Sequence, residues 1–225
     1  MHKEIEGTHW DALLNETGED SRLTPLFCAL LVIACLLAAV GIVTGSAVTI
    51  VGALVVSPDF GPLAALAVAS ATGHRALARR ALTALSVSFP LAMIAVAVMA
   101  FIAHHFGADL SAVTESNQVS FVYQVGGWSL IVSLLAGVAG TLALTSNKSG
   151  PLIGVFISIT TVPAAACVSI ASVLGEWQIA QEALLQLLMN MAGVIVAATI
   201  VLWFRREALE DSRQRADAAQ HALRN

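Results

Sequence analysis

Asp59 is the one formally charged side chain in the interior of the long apolar stretches of this 225-residue chain, and residues 57 to 62 read Ser-Pro-Asp-Phe-Gly-Pro. A carboxylate near the centre of a bilayer costs roughly 2.5 to 3.5 kcal/mol on insertion scales. Acidic residues in such places therefore face a protein interior or a water-filled cavity, and they commonly serve a function. This makes Asp59 the leading candidate for a functional side chain.

Two prolines flank Asp59 and predict a break in the helix that carries it. Each proline removes one amide donor and clashes with the carbonyl four residues earlier, so Pro58 and Pro62 should each free a backbone carbonyl. Gly61 adds a flexible point between them. Freed carbonyls, the hydroxyl of Ser57 and the carboxylate would form an oxygen-rich site for a hard cation or a proton.

A later apolar stretch carries Thr160, Thr161 and Pro163, and a second break near this proline would place both threonine hydroxyls beside a freed carbonyl. Asp59 and Pro163 each lie about 18 to 20 Å into their stretches at 1.5 Å per residue, near the bilayer midplane. The predicted ion-binding residues, which include the polar residue of the last stretch, are Ser57, Pro58, Asp59, Gly61, Pro62, Thr160, Thr161, Pro163 and Asn190.

A structural interpretation stays open for the same residues. Proline kinks are common in membrane helices, and Ser and Thr hydroxyls often bond to their own backbone. Asp59 could cap the helix that resumes after the break. Asn190 could line the site, or it could equally bond one helix to another, a contact worth around 0.6 to 2 kcal/mol.

No set of residues in the sequence predicts an enzyme or a cofactor. Cys28, Cys35 and Cys167 match no zinc or redox spacing, and we interpret them as buried structural thiols. His104 and His105 are adjacent, so they point to different faces of a helix and predict no metal site. A carboxylate pair or a Ser-His dyad for membrane-embedded proteolysis cannot be built either. We therefore expect no catalytic residue, cofactor or metal.

The composition predicts an integral membrane protein. Hydrophobic residues make up 57% of the chain and charged residues 12%, and the mean hydropathy is +0.82. This balance lies far outside that of a soluble domain. The basic residues are few and scattered, which argues against a nucleic-acid partner.

Six apolar stretches are each long enough to cross the ~30 Å hydrocarbon core, which needs about 20 helical residues. They lack the alternation of a membrane barrel, so the expected fold is all-α. The stretches are Pro25–Thr44, Ala47–Gly73, Arg80–Ala103, Phe121–Leu144, Gly150–Leu174 and Glu182–Phe204. We predict a cytoplasmic segment over 1–23, a transmembrane domain over 24–204 and a polar cytoplasmic helix over 205–225.

The basic residues predict the orientation of these spans. All 11 Lys and Arg residues fall on one side of the arrangement, which the positive-inside rule makes cytoplasmic. Both termini of a multi-pass protein of the cell (inner) membrane are then cytoplasmic. The acidic first 22 residues lack the basic region of a cleaved signal peptide, so we expect none.

The second half of the chain weakly repeats the first. An ungapped shift of 102 residues superimposes Gly52 on Gly154, Gly73 on Gly175 and six further identical residues up to position 82. The halves, about 24–105 and 121–204, would each hold three spans with one broken helix, the second and the fifth. An odd number of spans inverts the second copy, and inverted repeats are a recurring plan of secondary transporters.

At these residues the chain resembles a family of prokaryotic membrane proteins named domain of unknown function 389. The segments that carry the resemblance are 46–58 with Gly61-Pro62, 71–75 with 79–80, 154–163 and 187–190. The resemblance implies an all-helical polytopic fold and supplies no reaction or substrate. Two positions depart from the family pattern: Asp59 replaces a usually apolar residue, and Ala164 replaces the second member of a proline pair.

These observations together predict a small secondary transporter or channel-like permease with a midplane cation or proton site at the paired helix breaks. The expected partners are membrane lipid, an unidentified small solute or ion, and further copies of the same chain in a homo-oligomer. The alternative is a non-transporting membrane scaffold or sensor, whose broken helices serve packing. An aqueous path to position 57 or 161 would separate the two.

Overall fold

The computed structural model describes residues 17–19, 21–110, 127–144 and 151–224, without the side chains of 143, 151–160 and 205–224. The regular structure in these ranges is helical, in agreement with the predicted all-α class. The main helices are α1 Pro25–Val43, α2 Ala47–Val56, α3 Phe60–Thr72, α4 Arg75–His105, α5 Gly127–Leu144, α6 Pro151–Leu174 and α7 Trp177–Arg224.

Several helices have the length and apolar composition of membrane spans. Three qualify alone, namely α1, α4 and the Trp177–Phe204 part of α7, while α2 and α3 together qualify as one span bent by 55°. The apolar parts described for α5 and α6 are shorter, Gly127–Leu142 and Thr161–Leu174. These helices indicate a membrane location, and within the described ranges they account for up to four of the six predicted spans.

Local sequence explains how α2 returns along α1. The Ser46 hydroxyl accepts the amide of Thr49 at 3.3 Å and caps the start of α2. Gly45 adopts a φ of +62° in the turn before it, a conformation that favours glycine. Gly41 allows the close approach of the two helices, because a Cβ there would lie 2.6 Å from Cγ1 of Ile50.

The predicted break in the second apolar stretch is confirmed. Ser57 is extended, with φ −69° and ψ 128°, and it ends α2. This conformation is the one imposed on a residue that precedes proline, since the proline ring clashes with a helical predecessor. Asp59 is already helical, and α3 begins at Phe60. The chain therefore changes direction over three residues.

The predicted break in the fifth stretch is wrong. α6 runs from Pro151 to Leu174 without interruption and includes Pro163, just as α4 continues through Pro90. A single proline removes one amide donor, and neighbouring helices can hold the remaining turns in place. Ala164 keeps its own amide where a second proline would remove another. Two prolines flanking a glycine break α2 from α3, whereas one proline leaves α6 intact.

α6 lies at the centre of the described bundle. It contacts every other main helix, and the residues from Thr161 to Ala171 are all buried. Alanine is the commonest side chain of this core, as at Ala164, Ala165 and Ala166. Small side chains let helix backbones approach closely, which is how membrane helices gain packing energy. Thr161 therefore lies in the interior of the protein.

The turns that follow α3 and α6 have the same geometry. Gly73 and Gly175 end the two helices with φ of +75° and +79°. The next residue in each turn donates its amide to the carbonyl five positions earlier, His74 to Ala69 at 3.1 Å and Glu176 to Ala171 at 2.9 Å. This is the Schellman pattern, and it recurs at an interval of 102 residues.

Candidate functional site

Asp59 lies in the protein core and accepts hydrogen bonds from both halves of the chain. Its side chain is fully buried. The Ser57 hydroxyl donates to Oδ1 at 2.8 Å, and the Thr161 hydroxyl of α6 donates to Oδ2 at 2.5 Å. The structure thus brings together Ser57, Asp59 and Thr161, as the sequence predicts.

The helix break determines how Ser57 reaches the carboxylate. Pro58 forces Ser57 out of the helical conformation, so its side chain does not follow the helical path of α2. The hydroxyl meets the carboxylate two residues later, and Ser57 is itself buried. The proline therefore contributes a backbone conformation to the site, while the serine contributes a hydrogen-bond donor.

Asp59 occupies the N-cap position of α3 but makes no capping hydrogen bond with its side chain. The alternative in which Asp59 serves as an ordinary helix cap is therefore not realised. Its carboxylate still stands at the positive end of the α3 dipole, which favours a negative charge. The first turn of α3 and the two hydroxyls act in the same direction.

The backbone carbonyls at the break have amide partners. The carbonyl of Pro58 accepts the amide of Gly61, and that of Asp59 accepts the amide of Leu63, both at 3.4 Å. The expectation that Pro62 leaves the Pro58 carbonyl free is therefore wrong, because a tighter turn replaces the lost helical bond. Both distances are at the long end for an N–H···O bond.

Of the other residues predicted for the site, four determine the path of the backbone around Asp59, and the side chain of a fifth, Thr160, is not among the described ones. Gly61, Pro62 and Pro163 are buried and Pro58 is half-buried, and they shape the backbone around the carboxylate. The side chain of Thr160 lies outside the described residues, so its role stays a prediction. Thr161 is the threonine that the structure places on Asp59.

Cys35 of α1 is a neighbour that sequence reasoning did not assign to the site. It is fully buried and close enough to Asp59 to interact with it electrostatically. Its position in the sequence gives no signal of this, because the proximity depends on how α1 packs against the break. The interpretation of Cys35 as a buried thiol agrees with the structure.

Asn190 belongs to a second polar cluster at the interface of α5 and α7. The Ser129 hydroxyl donates to Oδ1 of Asn190 at 3.0 Å, and the Gln186 side-chain amide donates to the same hydroxyl. Gln186 and Asn190 are both buried. These bonds favour helix-to-helix bonding over a place beside Asp59. Gln186, four residues before Asn190, is the sequence signal that could have revealed this cluster.

The α5–α7 interface is packed through small residues of α5, namely Ser133, Gly137 and Thr141. A Cβ on Gly137 would lie 2.6 Å from the carbonyl oxygen of Val194, so only glycine fits there. Beside this contact, α3, α5 and α7 enclose a cleft of about 10 Å³ lined by Phe60 and Thr141 among others. That volume holds about one water molecule.

Metal ligands are not gathered anywhere in the described part of the chain. No group of three or more His, Cys, Asp or Glu side chains there could hold a metal ion. The predicted absence of a resident metal or cofactor stays a prediction.

Comparison with known proteins gives a family and one weakly similar relative. The family model described as Domain of unknown function (DUF389) matches residues 54–196. The uncharacterized protein MJ0678 of Methanocaldococcus jannaschii is 24% identical over 206 residues, which is 88% of this chain. The chain spans 62% of the length of that curated relative. No solved structure matches the chain.

Proposed function

The chain belongs to the DUF389 family, and because the description of that family assigns no function, we propose from the site itself that this protein is a small secondary transporter or channel-like permease. Its cation or proton site is centred on Asp59. One observation carries the proposal: a fully buried carboxylate at a helix break is held by hydroxyls from both halves of the chain. Ionisable residues in membrane interiors typically mark ion pathways or proton relays.

A broken helix near the midplane is the usual place for an ion site in a secondary transporter. The 55° bend between α2 and α3 directs the start of α3 and its dipole at the carboxylate. Movement of α2 relative to α3 would open and close the site, because the break at Ser57 and Pro58 separates these two helices. Asp59 binds the ion, and the hydrogen bond from Thr161 holds the Asp59 carboxylate against α6.

The two halves act as an inverted repeat in this proposal. Asp59 and Thr161 are themselves 102 residues apart, which is the shift that aligns the halves, so their contact lies where a pseudo-two-fold axis would pass. The matched turns at Gly73 and Gly175 support the same relation.

The packing of the helices supports the repeat independently. The shift equates α4 with α7 and α3 with the second half of α6. If the two halves are exchanged, α4 takes the place of α7 and the second half of α6 takes the place of α3. The contact between α4 and α6 then corresponds to the contact between α7 and α3, and both contacts occur. Rocking of one half against the other around Asp59 would give alternating access.

In the proposed topology the chain crosses the cell (inner) membrane six times, and both termini lie in the cytoplasm. Arg79 and Arg80 are exposed at the start of α4, whereas His104 and His105 are exposed at its opposite end. This asymmetry supports the assignment of the α3–α4 turn to the cytoplasmic side.

Copies of the chain associate in a homo-oligomer in this proposal. The small residues Gly41 and Gly137 are not available for this contact, since Gly41 packs on Ile50 and Gly137 on Val194 within one chain. Exposed apolar side chains of α2, such as Val48 and Val55, face lipid or another copy.

The function is tested by ion movement in proteoliposomes that contain the full chain. We expect the wild type to move protons or sodium in response to an imposed gradient, with candidate solutes chosen by a thermal-shift screen. Asp59→Asn should abolish this coupled movement. Asp109→Asn makes the same chemical change at an exposed acid and should leave it intact. Unchanged flux in Asp59→Asn would overturn the role given to Asp59.

The alternative function, a membrane scaffold or sensor, is favoured by the continuity of α6 through Pro163. In that case the hydroxyls and the carboxylate only hold α2, α3 and α6 together. Single cysteines at positions 57 and 161, in a chain without native cysteines, separate the two functions. Reaction with aqueous thiol reagents from either side supports a permeation path, whereas protection from both sides supports the scaffold.

A further inference from the structure

We infer that the cleft between α3, α5 and α7 is the cytoplasmic half of the path to Asp59, and that the outer half lies between the equivalent helices α6, α1 and α4. This inference rests on the proposed function, which assigns a site and leaves its two exits open. Two observations carry it: the cleft itself on one side of the site, and the tight packing of the equivalent helix faces on the other side.

The cleft extends from the helix break towards the cytoplasmic end of the bundle in the proposed topology. It begins at Phe60, the residue that follows Asp59, and α3 contributes Ala64 one turn further on. α7 lines it from Val194 to Leu202, a rise of about 12 Å at 1.5 Å per residue. The lining residues therefore cover most of the roughly 15 Å between the midplane and one surface of the hydrocarbon core.

Small residues leave this space between the helices. Ala64 lines the cleft from α3, and Gly137, Gly140 and Thr141 line it from α5. The volume of about 10 Å³ has room for about one water molecule. α7 contacts both of the other helices, whereas α3 and α5 have no extensive contact with each other in the described ranges. α5 can therefore separate from α3 without breaking a tightly packed interface.

The shift of 102 residues identifies the helix faces equivalent to the cleft. It equates α3 with the second half of α6, α5 with α1, and α7 with α4. Ala64 then corresponds to Ala166, Thr141 to Ala39. In the proposed topology these faces lead the opposite way, towards the outer ends of α1, α4 and α6.

The equivalent faces are packed closely in the hydrophobic core. The residues that correspond to Phe60 and Gly137 are Val162 and Cys35, and both are fully buried. Both belong to one core cluster with Ala39, Ala166 and residues of α4. α1 also packs directly on α6. The described arrangement is therefore looser on the cytoplasmic side of Asp59 than on the outer side.

The two faces meet at the proposed ion site. Phe60 follows Asp59 in one half of the chain and Val162 follows Thr161 in the other, and the Asp59–Thr161 contact joins the two. If the halves exchange their arrangements, the α6, α1 and α4 faces loosen while the cleft closes. Asp59 then faces the outer side without moving along the membrane normal. Such an exchange of conformations between inverted repeats is how secondary transporters alternate access.

Sided labelling of single cysteines tests the two paths. Ala64→Cys and Ala166→Cys are introduced separately into the full chain with its native cysteines changed to alanine. Proteoliposomes of known orientation are then treated with a membrane-impermeant thiol reagent. Ala76→Cys and Ala108→Cys, at exposed positions near the two ends of α4, report the two sides of the membrane.

The two cysteines should react from opposite sides. We expect Ala64→Cys to react from the side that modifies Ala76→Cys. Ala166→Cys should react from the side that modifies Ala108→Cys, and more slowly, because its face is the closely packed one. Modification of both from the same side, or protection of either one from both sides, would overturn the inference.

A filled cleft tests the exchange between the two arrangements. Ala198→Phe places a large side chain in the cleft, which then cannot close, so modification of Ala166→Cys should slow several-fold. Val196→Phe is the matched control, because Val196 lies on the same helix, is 52% exposed and should leave the rate unchanged. Ala198→Val is a smaller filler with the same expected direction if Ala198→Phe fails to fold. An unchanged rate in the folded filler variants would also overturn the inference.

The fate of the transport proposal is separate. Opposite sidedness of the two cysteines, with no movement of protons or sodium by the wild type, overturns transport and retains the two openings. Ion movement that Asp59→Asn abolishes, with Ala64→Cys and Ala166→Cys modified from one side, retains transport and overturns this assignment of the path.

Discussion

Thr161 Oγ1 lies 2.5 Å from Asp59 Oδ2, and the two residues are separated by the 102 positions that align the two halves of the chain. In the proposed inverted repeat, equivalent residues touch each other only where they lie at the two-fold axis, so this contact marks the place of that axis in the proposal. It pairs unlike residues, a carboxylate in the first half of the chain and a hydroxyl in the second.

Thr161→Val should destabilise the protein by about 1.5 to 3 kcal/mol, the range for hydrogen bonds to charged groups. Valine has nearly the same shape, so the loss comes from a buried carboxylate deprived of one donor. Chemical unfolding in detergent measures the change. Thr161→Ser keeps the hydroxyl and should lose less.

Ser172→Ala is the matched control for this prediction. Ser172 lies on the same helix, and its hydroxyl bonds to the carbonyl of Val168 at 2.7 Å, so its removal should have little effect. Equal stability of Thr161→Val and the wild type would show that the Asp59–Thr161 bond does not hold the site together.

The sequence predicts the Asp59 site better than it predicts the path of the helices around it. The break at Pro58 follows from local chemistry, since two prolines remove two amide donors within five residues and Gly61 adds a flexible point between them. The grouping of Asp59 with Thr161 was predictable because each lies beside a proline at a similar depth in its apolar stretch. Both inferences use information that is present in short segments.

The failures have a tertiary origin. α6 stays helical through Pro163 because it is surrounded by other helices, and its burial cannot be read from its own residues. The Ser129–Gln186 contact joins residues 57 apart, and the spacing of Gln186 and Asn190 indicates a polar face of α7 without identifying Ser129 as its partner. Cys35 reaches Asp59 only through the packing of α1. Each depends on which helices become neighbours.

Asp59→Asn should leave the folded protein as stable as the wild type or up to about 1 kcal/mol more stable. Replacing a buried charge with a neutral group removes its desolvation penalty, which offsets the loss of the charge-assisted bonds from Ser57 and Thr161. The Asn amide can still bond to Ser57 and Thr161, since hydroxyls accept as well as donate. Thermal unfolding in detergent checks this. A loss of stability as large as that of Thr161→Val would favour the scaffold function, in which the charge serves packing.

Gly137→Ala should destabilise the α5–α7 interface by about 1 to 3 kcal/mol, the range for an overpacked core. The new Cβ would lie 2.6 Å from the backbone oxygen of Val194, and a backbone atom cannot move aside as a flexible side chain can. Gly52→Ala is the control, because nothing lies within 4 Å of a Cβ at that helical position. It should raise stability slightly, since alanine favours a helix over glycine. Equal effects of the two variants would contradict the described packing.

Asn190→Leu should weaken the protein by about 0.6 to 2 kcal/mol, the strength of hydrogen bonds between membrane helices. The change removes the acceptor of the Ser129 hydroxyl. Ion movement in proteoliposomes should stay at the wild-type rate, because the bonds described for Asn190 connect α5 and α7. Loss of this movement in a folded Asn190→Leu protein would return the residue to the ion site, as the sequence first predicted.

Cys35 provides a native reporter for water access to the site. In Cys28→Ala/Cys167→Ala, the remaining thiol lies in the core, where it interacts electrostatically with Asp59. If the two halves rock about the site, aqueous thiol reagents should modify Cys35 slowly, and a solute or a pH gradient that favours one state should change the rate at least several-fold. The matched control retains only Cys167, which is equally buried within α6 and should react more slowly. Complete protection of Cys35 from both sides of the membrane, under every gradient, would contradict an aqueous opening that extends from Asp59 to α1.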